Sequence, residues 1–220
     1  MPRSIRWLPG SRQIGWIKAI LFVLCLVPLA RLVYGAVGNT LGANPIEAIT
    51  RSTGWWALCL LMVTLSVTPL RKLSGANWLL RLRRMLGLYA FFYALVHFIT
   101  FIWFDHWFDV GEIVKDVIKR PFVTMGFAAF VLLWPLALTS SNAMVRRLGR
   151  NWKRLHRLVY VIAVLGVVHY WWLVKRDLTE PVLFSLVLAL LLGLRPYWRR
   201  KGLPTTRTVS PGSKSQTFSS

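Results

Sequence analysis

Apolar positions in this chain gather into six blocks, each close to the ~20 residues a helix needs to cross a hydrocarbon core. The blocks lie at about Ile14–Tyr34, Gly54–Leu70, Met85–Phe104, Phe122–Thr139, Leu155–Val174 and Pro181–Trp198. Pro28 predicts a kink in the first block, and Pro69 predicts that the second stops near it. The sixth is short in purely apolar residues and relies on Tyr197 and Trp198 as interfacial anchors. The expected architecture is all-α: a polytopic six-helix transmembrane bundle over residues 14–198, with tails at 1–13 and 199–220.

Basic residues before the first block resemble the start of a signal peptide. The block is too long for such a segment and no A-x-A-like site follows it, so it reads as a retained spanning helix. The stretch from Gly202 to Ser220 is polar and rich in Ser, Thr and Pro, a composition that predicts disorder. No internal repeat is visible beyond the alternation of helices and loops.

Composition supports a membrane protein: 55% of the 220 residues are hydrophobic and 16% charged, with a mean hydropathy of +0.51. The two cysteines, Cys25 and Cys59, both lie inside apolar blocks without CxxC spacing, which argues against a disulfide framework or a zinc site. The net charge of +21 raises nucleic acid as a partner until it is sorted by connection. The N-terminal tail, the second-to-third and fourth-to-fifth connections and the C-terminal tail hold 21 basic residues and no acid. The other connections hold seven bases and all seven acids. The positive-inside rule absorbs the whole excess and places both termini in the cytoplasm; no nucleic-acid partner is needed.

An ionisable ring inside a membrane needs a partner, which makes intramembrane histidines the first candidates for chemistry. His97 lies 13 residues after Arg84, and His169 lies 15 residues after Arg154. With helices three and five running the same way, the two rings reach nearly the same depth. Two neutral imidazoles at one depth on parallel helices suit the axial positions of a b-type haem. Ala94 and Gly166, each three residues earlier, are small enough to admit a flat macrocycle. The plain alternative is a pair of core histidines bonded to each other or to carbonyls.

His156 sits at the other end of the fifth block, level with Arg83 and Arg84. It stands as ligand to a second haem with a non-histidine partner, or as a contact for quinone or flavin. Its plain alternative is an interfacial histidine among basic neighbours. His106, among Trp103, Phe104, Trp107 and Phe108, reads as part of an aromatic belt. No Walker or Rossmann fingerprint is present, so electrons must come from another molecule. The longest acid-bearing connection, Asp105–Pro121, is a candidate docking rim, with Lys175 and Arg176 placed to meet haem propionates.

The stretches RRMLGLYAFFYALVHF (83–98), RPFVTMG (120–126) and LTSSNAMVRRLGRNWKRLHRLVYVIAVLGVVHYWW (138–172) resemble the MsrQ (formerly YedZ) family. These are haem-binding membrane subunits of a bacterial methionine sulfoxide reductase system, similar to the transmembrane domain of ferric reductases. The resemblance implies a six-helix haem-binding bundle in the bacterial inner membrane. It implies electron delivery to MsrP, a periplasmic molybdopterin enzyme that repairs oxidised methionines. The donors it implies are the quinone pool or a cytosolic flavin reductase with FMN. The family's histidines match His97, His156 and His169, and its paired arginines match Arg83 and Arg84. The third block carries one histidine, His97, where the wider ferric reductase pattern has two, which leaves the number of haems open. Two rivals remain at this level: a stand-alone ferric or quinol reductase, and a haemless scaffold or transporter with structural histidines.

Overall fold

The computed structural model describes residues 9–174 and 177–200. Among these, six helical spans are long and apolar enough to cross a membrane. The expected all-α, six-span architecture is borne out. The helices are α1 (Ser11–Val37), α2 (Pro45–Ser74), α3 (Leu80–Thr100), α4 (Val110–Lys119), α5 (Pro121–Leu138), α6 (Asn142–Leu148), α7 (Arg150–Leu155), α8 (Leu158–Leu173) and α9 (Thr179–Arg200). Two hairpins form the centre: α2 packs along α3, and α5 along α8. Helices α1 and α9 lie against this four-helix unit and turn residues such as Ile20, Leu24, Leu183 and Leu186 outward. The tail proposed over 199–220 and the first eight residues fall almost entirely outside the described residues.

In lipid an exposed leucine costs nothing, so the bundle is held by close packing and internal hydrogen bonds rather than by apolar burial. Ala90 and Ala163 are fully buried beside Leu65 and Ile162, and their small side chains let helix backbones approach. The hydroxyl of the fully buried Tyr93 donates to Cys25 O at 2.7 Å and accepts from Leu29 N at 3.2 Å. It thereby sits between two ends of one turn of α1, next to Pro28, and ties α1 to α3.

Pro69 does not stop the second span. Helix α2 begins nine residues before the expected block, at Pro45, and continues past Pro69 to Gly75, whose backbone is left-handed at φ 70°. A proline removes the N–H that would bond four residues back, here to Leu65. That freed carbonyl accepts from the Arg195 guanidinium of α9 at 3.3 Å. Arg195 also lies over the Tyr160 ring at 4.4 Å and donates to its hydroxyl. A neighbouring helix thus restores the bond that proline removed, which is how spanning helices tolerate it.

The connection read as a loop after the third block contains structure. Helix α3 runs into a π turn at Phe101–Asp105, and Trp107 and Phe108 then take positive φ of 46° and 63°. This sharp reversal leads into α4, capped by Asp109, whose side chain accepts Glu112 N at 3.1 Å. Val110, Val114 and Ile118, spaced by four, form an exposed apolar stripe along α4. Trp107 and Phe108 are exposed beside it.

Candidate functional site

His97 on α3 and His169 on α8 face one another at the centre of the two hairpins. Their ring centroids are 6.2 Å apart and their planes differ by 71°. Each ring is held by the other helix of its own hairpin. His97 Nδ1 lies 2.9 Å from Thr50 O on α2, and His169 Nδ1 lies 2.7 Å from Phe122 O on α5. A carbonyl can only accept, so each Nδ1 carries the proton and donates it, leaving Nε2 with a free lone pair. That is the tautomer in which imidazole ligates a metal, and the carbonyl fixes the ring and raises its basicity.

The spacing fits one metal shared by both rings. Bonds of about 2 Å to each nitrogen, with roughly 1 Å from nitrogen to centroid, set two imidazole centroids about 6 Å apart. Both histidines line one cavity of about 1120 Å³, slightly above the ~300–1,000 Å³ of ordinary small-molecule sites. Its walls are mostly apolar, including Leu58, Phe98, Phe130 and Ile162, and Ala94 and Gly166 line it as their position predicts. A planar macrocycle with an iron at its centre fits this donor set and these walls.

Two residues that matter here were not singled out from the sequence. A Cβ on Gly54 would stand 3.1 Å from both Cε1 and Nδ1 of His97, and one on Gly126 would stand 2.8 Å from His169 Nδ1. Gly54 is four residues after Thr50, and Gly126 four after Phe122. Helix side chains lean toward the N-terminus, so a side chain at these positions would cover the very carbonyls that hold the histidines. Glycine leaves each oxygen open to the imidazole, which occupies the vacated space; Thr50 O also accepts from Thr53 Oγ1 at 3.0 Å.

The signal that finds them is a comparison of the chain with itself. A shift of 72 residues carries Thr50, Gly54, Ala94 and His97 onto Phe122, Gly126, Gly166 and His169. The two hairpins thus place these functional positions at one constant offset, although only the glycines and the histidines are identical in type. The same shift carries Arg84 onto His156, so the correspondence in residue type ends at the basic end of the bundle.

At that end His156, Arg83 and Arg84 do converge, as their level predicts. They line a smaller cavity of about 240 Å³ with Ser140, Asn142 and Trp152. His156 Nδ1 donates to Trp152 O at 3.1 Å, and its ring stacks on that indole at 3.9 Å between centroids. Its Nε2 is buried without a hydrogen-bond partner, the atom a ligand would use. Arg84 Nη1 donates to Asn142 Oδ1 at 2.9 Å. His106 belongs to neither cavity; it packs on Phe101 at 4.7 Å and lies 3.3 Å from Asp116. Lys175 and Arg176 lie outside the described residues.

A family model described as the ferric reductase like transmembrane component matches residues 53–167. The protein-methionine-sulfoxide reductase heme-binding subunit MsrQ of Herminiimonas arsenicoxydans is 58% identical over 193 residues, 86% of this chain and 88% of its own length. This chain belongs to the MsrQ family. MsrQ of Azospira oryzae is 52% identical over 214 residues, 96% of this chain and 92% of its own. MsrQ of Ralstonia nicotianae is 55% identical over 189 residues, 84% and 87% of the two chains. No solved structure matches. The matched family segment takes in Gly54, His97, Gly126 and His156, with Thr50 and His169 just beyond its two ends.

Proposed function

We propose that this MsrQ-family chain is a membrane cytochrome b that carries electrons across the bacterial inner membrane. The observation that carries the reading is the His97–His169 pair, each ring turned into its ligating tautomer by a backbone carbonyl and set at the spacing of axial ligands. A haem b bound there supplies reversible one-electron transfer in a water-poor site. The chain's own residues do the rest: His97 and His169 hold the iron, Thr50 and Phe122 orient them, and the apolar walls exclude solvent.

At the basic end, His156, Arg83 and Arg84 receive the donor, a quinol or a reduced flavin such as FMN. Arginine suits an anionic donor because its planar fork makes two charge-assisted bonds at once. His156 has an unpaired buried Nε2 to offer, either to such a donor or to a second haem. The positive-inside rule makes this the cytoplasmic end, with both termini beside it. A phosphatase reporter fused to the C-terminus should therefore be silent, and one in the 105–119 connection active. The reverse pattern would exchange the entry and exit faces.

Electrons leave at the opposite end to a periplasmic molybdopterin reductase of the MsrP kind. There the methionine sulfoxide takes two electrons and two protons to give methionine and water, so two single-electron passages serve each turnover. Exposed Trp107 and Phe108 beside α4 give a soluble partner an aromatic docking rim near this exit. Asp109 caps α4 and Asp116 faces His106 and Arg120, so these acids also shape the loop. The deciding experiment prereduces the purified chain and follows its Soret band after adding the reductase and methionine sulfoxide. Reoxidation should require both additions. If free ferric chelates reoxidise the chain equally fast and the enzyme has no effect, the chain is a stand-alone ferric reductase.

A further inference from the structure

The walls of the larger cavity are apolar except at the end away from the arginine-rich connections. Polar residues gather there from the start of α2, the residue before α5, and the α8–α9 connection. Haem b carries two carboxylates on one edge, and an apolar cavity with one polar end fixes which edge points where. Among the described lining residues the only cations, histidines aside, are Arg51 and Arg120.

These two arginines flank the histidine pair, one from each hairpin. Arg51 follows Thr50, whose carbonyl holds His97, and Arg120 comes two residues before Phe122, whose carbonyl holds His169. Arg51 meets Glu47 through Nε at 3.3 Å, and Arg120 meets Asp116 through Nε at 3.2 Å. Among the described residues the two terminal nitrogens of each meet no other acceptor, and together they offer the fork that pairs with a carboxylate. The acids at this end are engaged elsewhere. Asp177 accepts Thr179 N at 3.0 Å, bonds that hold its carboxyl below the usual range, and Glu180 accepts from Tyr170.

We infer that Arg51 and Arg120 form a two-point carboxylate clamp that takes the propionates of the bound haem, one arginine to each. This rests on the haem-binding reading of His97 and His169 and adds the orientation of the macrocycle: propionate edge toward the partner-docking end. It reassigns the role expected for Lys175 and Arg176. The glutamate and aspartate on the Nε atoms act as positioning residues that aim each guanidinium.

The test compares protohaem with its dimethyl ester, which lacks both carboxylates, in reconstitution of the apo-protein followed by Soret titration. Wild type should prefer the free acid by roughly ten-fold or more, the worth of a charged hydrogen bond. Arg51→Gln and Arg120→Gln should each lose part of that preference, and the double variant should bind both porphyrins alike. Unchanged ester binding in the double variant shows that it is folded. A wild type indifferent to esterification overturns the clamp, as does a preference that survives in the double variant, which would hand the carboxylates to Lys175 and Arg176. Failure of the underlying reading looks different: His97→Ala and His169→Ala would then leave the binding of both porphyrins untouched.

Discussion

Replacing His97 or His169 with alanine strips most of the Soret band while the chain still inserts and folds. Each substitution deletes one proposed ligand nitrogen and leaves a cavity that an apolar bundle tolerates, because lipid-phase packing rests on many other contacts. It also removes the imidazole donor from one carbonyl, Thr50 O or Phe122 O; each oxygen lies within a helix, and Thr50 O also accepts from Thr53 Oγ1 at 3.0 Å, so the cost to folding is small. Losing a ligand from a two-nitrogen site would remove one of the two residues proposed to hold the iron, and with it most of the haem affinity. Absorption spectra of detergent-purified variants, normalised to protein, read this directly. His106→Ala serves as the control, since that ring lies outside both cavities. Full haem retention in both ligand variants removes the basis of the proposed function.

Gly126→Ala produces the second large effect, and it exceeds that of Gly54→Ala. The new methyl carbon would sit 2.8 Å from His169 Nδ1 and 2.9 Å from Cε1, against 3.1 Å for both His97 atoms at Gly54. Both nearest atoms belong to a rigid ring, so the imidazole itself must move, and it moves off Phe122 O. The Nδ1–H bond that raises the ring's basicity is then lost. Losing such an outer partner costs roughly 10–100-fold in metal affinity. A less basic ligand also favours the ferrous state, so residual haem should show a more positive midpoint potential. Gly193→Ala is the matched control, because nothing lies within 4 Å of its Cβ position. Redox titration separates a positioning role from simple loss of fold: a folding defect lowers haem content without moving the potential. Wild-type affinity and potential in Gly126→Ala would mean that the glycine seat does not tune the ligand.

The glycine seats explain why the histidine pair was legible in the sequence while its support was not. Depth follows from counting residues along α3 and from α7 into α8, because helical rise is nearly constant and both counts start from the same basic boundary. Rotation about each helix axis is a different quantity. Whether His97 faces His169 or lipid depends on which helices are neighbours, and block hydropathy is silent on that. The 72-residue relation between the hairpins carried the information, but only four or so positions express it. It passed for the ordinary alternation of helix and loop. Helix α4 was missed for another reason: ten residues with apolar positions every fourth are too short and too charged to register as a span.

What the sequence determined by itself was the one-dimensional part of the problem. Lipid demands long apolar runs with internally bonded backbones, so the number of helices is written in hydropathy, and their proposed sidedness in the basic residues. The tertiary structure decided everything that depends on a neighbour. Arg195 rescues the carbonyl that Pro69 abandons, so a helix expected to end continues. Gly54 and Gly126 open carbonyls to rings that lie 43 residues further along the chain. Arg51 and Arg120 reach one cavity mouth from separate hairpins. Each is a meeting of side chain and backbone across a helix–helix interface, and helix rotation, which sets those meetings, is fixed by packing rather than by polarity.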